Sequence, residues 1–472
     1  MTIQLADHIK AYTAKGPRYR VIADAISVAI KDGILTSGEK LPPMRTLGWA
    51  LGVTTGTIAR AYALGVTRKE LASEVGRGTF VSQRQAPTLA MPAPVATSID
   101  KEDPADGIIS LKANLPANIG QSHILAEETA RLVSEGRSGL FDYLPAGGTK
   151  AHREAGAAWL GTGVFMPSPA DIILCSGAQQ AIMAAILAAT DPGDVILTES
   201  LTYHAITSLA LMLDRRVMPV EIDNDGLMPD ALARACRGSR VTALFTVPTL
   251  HNPTTTSMSA GRRQAIAEMA AAQQLSIIED DIYANLMAER PLPLKHLLPD
   301  KTYYINSLSK AVAPGLRLGY LVPPRATYER SRAIIHGLGQ TLPPLMAELG
   351  TRIITNGVAD TLTGKQRTEI SERNRMANRL LGDAPRRQNA AAMHIWLQLP
   401  DSWRATSFVE AARHRGVLIA AGEEFMVGRP DQASRHVRLC LGAASDCTRM
   451  EQGLKTLSQL MEEAPIEMQT LA

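Results

Sequence analysis

The sequence predicts an α/β protein, a mostly parallel sheet with helices on both faces, preceded by a small basic helical head. Two observations carry this. Six short apolar runs (DIILCSG, DVILTES, VTALFTVP, SIIEDD, TYYINS and LGYLVP) read as buried strands, with alanine-rich helical stretches such as Gln179 to Ala189 and Ala260 to Gln274 between them. Strands alternating with helices build a parallel sheet covered on both sides. The second observation is charge. Of 49 Lys+Arg and 46 Asp+Glu in 472 residues, residues 1–84 hold 12 and 6, which leaves 37 and 40 for the rest. A head at +6 on a body at −3 suits a polyanionic partner.

The length allows two or three domains and a large core. Cys175, Cys236, Cys440 and Cys447 show no CxxC or metal-ligand spacing, so reduced, buried thiols and no metal site are expected. The opening MTIQLADHIK lacks a signal-peptide pattern, and the longest apolar run, Ala181 to Ala189, is too short to span a bilayer. A cytoplasmic location without membrane contact is expected.

In the head, Tyr19 to Asp32 has apolar residues at helical spacing, and Gly33 stops it. Pro42 and Pro43 open a second helix that ends at Gly52. Thr54 or Thr55 then caps a third, Thr57 to Leu64. Two helices joined by a tight glycine turn make a helix-turn-helix. Thr54, Thr55, Thr57 and Arg60 stand at the start of the third helix, where a recognition helix meets DNA. VGRGTFV reads as the tip and return strand of a wing, with Arg77 beside Gly78. The run GEKLPPMRTLGWALGVTTGTIARAY…GRGTFV is similar to the winged helix-turn-helix of GntR-type bacterial regulators, over about residues 17–82. The resemblance implies that Arg45, the start of the recognition helix and the wing glycines approach DNA. Trp49 departs from it, standing where a smaller residue is usual, and Gly65-Val66-Thr67 is expected to loosen the end of the recognition helix. Residues 1–84 are therefore the predicted head. Residues 85–107, in a Pro-, Ala- and Thr-rich run, are a linker, and 108–472 form the body, with a large part to about 325 and a small α+β part after it.

In a parallel sheet ligands sit beyond the carboxyl ends of the strands. At the first such end, Gly177, Ala178 and Gln179 open a helix whose free N–H groups suit a phosphate. Tyr203 offers a ring to lie over a flat cofactor, and Asn252, before Pro253, offers an amide. Asp280 ends an apolar strand three residues before Tyr283, and a carboxylate facing a pyridine nitrogen makes that ring an electron sink. The stretch YYINSLSKAVAPGLRLGY places Lys310 just after a strand, with hydroxyls at Ser307 and Ser309 and a phosphate-matching fork at Arg317. Such a lysine suits a Schiff base with a cofactor aldehyde, pyridoxal 5'-phosphate.

In this order the body resembles the fold-type I aminotransferases, the aspartate aminotransferase superfamily, over nearly all of residues 108–472. The resemblance implies that Gly177, Ala178, Gln179, Ser307, Ser309 and Arg317 hold the phosphate and Tyr203 stacks on the ring. It implies further that Asn252 and Tyr283 bind the ring oxygen, Asp280 pairs with the ring nitrogen and Lys310 forms the internal aldimine. By the same resemblance Tyr143 reaches a neighbouring subunit's phosphate site and Arg438 clamps a substrate carboxylate. Thr255, where glycine is common, is expected to narrow the turn beside the ring. A GntR-like head fused to such a body resembles the MocR family of bacterial regulators, with its GabR and PdxR types. That implies a homodimer with each head packed on the partner's body, operator DNA with repeated half-sites, and an amino-compound effector with an anionic group, sensed through an external aldimine. An active aminotransferase carrying a DNA-binding head, or an enzyme whose winged helix binds protein, are the alternatives.

Overall fold

The computed structural model describes residues 2–12, 16–31, 34–35, 38–68, 70–74, 78–82, 107–136, 139–237, 241–339, 342–428 and 433–463. The chain divides into two compact units, Met1–Pro94 and Val95–Ala472.

The first unit has helices at Thr2–Ala11, Arg18–Lys31, Met44–Leu51 and Thr55–Thr67, and an antiparallel hairpin, Leu71–Glu74 with Gly78–Val81. Leu5, Ile22, Ile26, Leu47, Ile58 and Tyr62 fill its core. The tight turn forms as its sequence dictates. Gly52 takes φ 64°, and the Val53 N–H donates to the Gly48 carbonyl at 2.9 Å. Thr54 Oγ1 then accepts from the Thr57 N–H at 3.2 Å and starts the next helix. Gly65 does not loosen that helix, which continues to Thr67. A Cβ at Gly65 would stand 2.7 Å from Leu71 Cδ1, so the glycine is there to let the hairpin pack.

The second unit is built on a seven-stranded sheet. Its order is Ile173–Ser176, Leu318–Val322, Thr302–Ser307, Ser276–Asp280, Val241–Thr246, Val195–Glu199 and Arg216–Val220. Leu318–Val322 runs antiparallel to both neighbours, and the remaining pairs are parallel. Alternate residues feed two cores. Ile196, Phe245 and Ile278 pack with Ile182 and Ile186 of helix Ala178–Ala189, while Leu197, Leu244 and Ile277 pack with Ile266 and Ala270 of helix Ala260–Ala272. Arg216–Val220 is an edge strand of mixed exposure, so no apolar run announces it.

A four-stranded antiparallel sheet, Arg386–Arg387, His394–Gln398, His436–Cys440 and Ala420–Ala421, builds the smaller part with helices Val358–Leu381 and Cys447–Glu462. The start of the body belongs here. Ile109–Ser110 pairs with Val417–Leu418, and the Cys440 N–H donates to the Leu111 carbonyl at 2.7 Å. A large part beginning at 108 is thus corrected, because Ile109 and Leu111 bury themselves in the small part's core. None of the four cysteines is in a disulfide; Cys175 and Cys440 are buried, whereas Cys236 and Cys447 are half-buried rather than buried as expected. Among the described residues no helix is long and apolar enough to cross a membrane.

Candidate functional site

Strand ends bring the predicted residues together. Asp280 closes its strand as a buried carboxylate, and its Oδ1 has no hydrogen-bond partner. Burial pushes its pKa up to about 7. The Ile282 N–H pulls the other way, Asp281 adds to the rise, and Lys310 offsets part of it. Lys310 follows the strand Thr302–Ser307 and is half-buried. Its Nζ donates to the Asn114 carbonyl at 2.5 Å. Burial lowers its pKa to about 8; Cys440 opposes that shift and Arg438 adds to it. About a tenth of the amine is therefore neutral at pH 7, far more than for a lysine at its ordinary value of 10.5.

Tyr283 is buried, and its hydroxyl accepts from Asn114 Nδ2 at 2.9 Å. Asn252, also buried, accepts at Oδ1 from Arg438 Nη1 at 2.8 Å. Tyr203 is half-buried, with its hydroxyl 3.4 Å from Gln179 Nε2; burial, with Asp280 nearby, raises its pKa to about 12. These contacts place Gln179, Tyr203, Asn252, Asp280, Tyr283, Lys310 and Arg438 in one connected region.

Gly177, at φ 81°, precedes helix Ala178–Ala189. A Cβ there would meet Arg317 Nη2 at 2.9 Å, and a Cβ at Gly319 would meet the Gly177 carbonyl carbon at 2.7 Å. The two glycines let the helix N-terminus, Arg317 and the neighbouring strand converge. Arg317 holds φ 49° and donates through Nη2 to the Ser176 carbonyl at 3.4 Å. Ser307 is buried and accepts from the Ser309 N–H.

Arg438, on the strand His436–Cys440, is buried but not idle. Its Nη2 donates to the Lys112 carbonyl at 2.8 Å, its guanidinium lies 4.5 Å from the Phe425 ring, and its Nε has no partner. Thr255 occupies φ 63° and is buried, with its N–H on the His251 carbonyl at 2.6 Å. A β-branched residue is strained in that left-handed region.

Tyr143 does not join the cluster, since it is 98% exposed, beside Phe141 at 83%. In the head, Arg45, Thr54, Thr55 and Arg60 are exposed and Thr57 is half-buried, its hydroxyl 2.9 Å from that of Thr54. Gly78 takes φ 117°, and Arg77 lies outside the described residues. Trp49 is 88% exposed.

Sequence reasoning missed Asn114, Lys112, Phe425, His394 and Cys440. Asn114 lies 196 residues before Lys310, and the run SLKANLP carries no motif that points to it.

The residues fit pyridoxal phosphate. A buried acceptor at Asp280 lacks a partner, a lysine of lowered pKa stands beside it, and two glycines hold an arginine against a helix N-terminus. Among the described residues no group of three or more His, Cys, Asp or Glu is placed to hold a metal ion.

Comparison with known proteins agrees with both halves. The family model described as aminotransferase class I and II matches residues 107–457, and that of bacterial regulatory proteins, gntR family, matches residues 18–81. The chain is 31% identical to an uncharacterized HTH-type transcriptional regulator, YdeF, of Bacillus subtilis, over 95% of this chain and 96% of that one. It is 28% identical to the vitamin B6 salvage pathway transcriptional repressor PtsJ of Salmonella typhimurium, over 90% and 94% of the two chains. Among solved structures, an archaeal alanine:glyoxylate aminotransferase superposes with a TM-score of 0.71 at 24% identity, over 78% of this chain and 95% of that one. LysN, the α-aminoadipate aminotransferase of Thermus thermophilus, gives 0.70 at 22% identity, over 80% and 98%. These two likenesses are of fold.

Proposed function

The chain belongs to the aminotransferase class I and II family and carries a gntR-family head; it is a helix-turn-helix transcriptional regulator whose body binds pyridoxal phosphate, and we propose that an amino compound reaching that cofactor is its signal. The observation that carries this reading is the convergence of Lys310, Asp280, Tyr283, Asn252 and Arg438 in a chain that also has a recognition helix.

In this reading the N–H groups at Gly177, Ala178 and Gln179, with Ser307, Ser309 and Arg317, hold the phosphate. Tyr203 covers one face of the ring. Asn252 and Tyr283 face the ring oxygen, and Asp280 faces the ring nitrogen. Bound there, pyridoxal phosphate would supply an aldehyde carbon able to bond a primary amine, that of Lys310 or that of an effector. Lys310, once released, has an acceptor ready in the Asn114 carbonyl. Arg438 takes the effector's anionic group, through its unpartnered Nε or by giving up Asn252. Tyr143 belongs to the partner copy's phosphate site, so the protein acts as a homodimer on operator DNA with repeated half-sites, in the cytoplasm where that DNA is. Domain limits near 84 and 107 suit this division of labour.

The route from site to linker is short. Just after the linker, the main chain pairs at Ile109–Ser110 with Val417–Leu418, gives its Lys112 carbonyl to Arg438, and gives its Asn114 carbonyl to Lys310. An effector that changes either contact acts on the segment leading to the head. It shifts the regulator only by its differential affinity for two states.

Lys310→Ala is expected to keep operator binding and to abolish the effector's influence on it, measured by gel shift or anisotropy across a panel of amino compounds. An intact response in that variant sinks the sensing mechanism. Asp280, Lys310 and Arg438 are all present, which keeps turnover as a second reading. Sustained transamination of an amino donor and a 2-oxo acid, at roughly 1 per second or more, would establish it.

A further inference from the structure

Asn114 sits between two candidate site residues and a buried histidine. Its Nδ2 is 2.9 Å from the Tyr283 hydroxyl and 3.4 Å from His394 Nδ1. The amide's orientation follows from its neighbours. His394 Nε2 lies 3.2 Å from the His251 carbonyl, which only accepts, so Nε2 carries a hydrogen. Burial, with Arg438 close by, lowers the His394 pKa to about 3, so the ring is neutral and its Nδ1 is a lone pair. The group facing Nδ1 must therefore donate, which assigns that side of Asn114 to the NH2. The same NH2 meets Tyr283, whose hydroxyl accepts. A hydroxyl that accepts from one neighbour has its own hydrogen left to give to another.

Two further facts bear on this residue. Its main-chain carbonyl holds the Lys310 amine, and its Oδ1 is buried with no hydrogen-bond partner. A buried acceptor left without a partner is costly, and a ligand's N–H or O–H would relieve it.

We propose that Asn114 is a positioning residue of this site: its amide hydrogens fix Tyr283 as a donor toward the bound cofactor and keep His394 in its Nε2–H form, while its carbonyl receives the Lys310 amine when that amine is free. The inference rests on the cofactor reading above. Asp280, Arg438, Tyr203, Cys440 and His394 stand among the ionisable groups facing Tyr283, and Arg438, His251, Lys310 and Tyr283 among those facing His394. The Asn114 side chain adds no charge to this set, so it acts by orientation.

The test is the pH midpoint of the visible absorbance band of the holo protein. A donor to the ring oxygen draws electron density from it and lowers the midpoint, so losing that donor raises it. Tyr283→Phe is expected to raise the midpoint by about one unit, and Asn114→Ala by about half as much. The double variant should match Tyr283→Phe alone, because Asn114 acts through that hydroxyl. Asn114→Asp turns the Tyr283 hydrogen toward itself and is expected to raise the midpoint by at least as much as Asn114→Ala. If Asn114→Asp does not fold, the alanine pair decides. Additive shifts in the double variant, or an unmoved midpoint in Asn114→Ala, overturn the proposal while leaving the cofactor reading standing. A wild-type protein that shows no such band after loading with pyridoxal phosphate overturns both.

Discussion

Asp280 is the side chain whose charge this site has to manage. In the unfolded chain it ionises near 3.8, and in the fold burial holds it at about 7. The folded pKa is raised, so the group's contribution to stability is intact below about pH 4 and is lost as pH climbs toward 7. Asp280→Asn removes that loss. Urea unfolding of the cofactor-free protein should show the variant gaining at least about 1 kcal/mol relative to wild type between pH 5 and pH 8. Glu279 and Asp281, whose pKa values burial also raises, remain in both proteins; removing the Asp280 charge also eases ionisation of Asp281 beside it, which adds to the gain in the same direction. Cofactor affinity should fall in the same variant. An equal difference at both pH values would mean that Asp280 is ionised at little expense.

Elements act where they approach one another. The strand Leu318–Val322 runs beside Ile173–Ser176 with Gly319 opposite Cys175, and one residue past Ser176 the backbone turns into a helix N-terminus. Gly319→Ala would put a Cβ 2.7 Å from the Gly177 carbonyl carbon, a backbone atom that has no rotamer to yield. The turn must shift, and affinity for pyridoxal phosphate should drop by about tenfold or more, read by titration of the cofactor-free protein. Unchanged affinity would remove this turn from the phosphate site. Element positions were largely legible in the sequence. The six apolar runs are all strands of one sheet, and Ala260 to Gln274 is a helix two residues shorter than expected. The misses share a cause. Gly65 looked like a helix breaker because its packing against Leu71 is invisible locally, and Arg216–Val220 and Ile109–Ser110 are too exposed or too short to leave a pattern.

At the scale of the whole molecule, the +6 of the head belongs with its exposed Arg45 and Arg60 on and beside the helix-turn-helix. Each phosphate contact releases counterions, so Arg45→Ala should reduce the slope of log affinity against log salt by about 1 while leaving the cofactor band in place. An unchanged slope would move that arginine off the DNA. The sequence by itself determined the two halves, the order of the candidate cofactor residues and the charge division between head and body. Each of these is written in local runs, where period, capping and turn chemistry act over a few neighbours. Tertiary structure alone decided that Asn114 grips both Tyr283 and Lys310, that Arg438 is already engaged by Asn252 and Lys112, and that the chain enters the body through its small part. Those contacts join residues far apart along the chain. Their pairing is set by which surfaces the whole fold buries together, and no stretch of sequence records that.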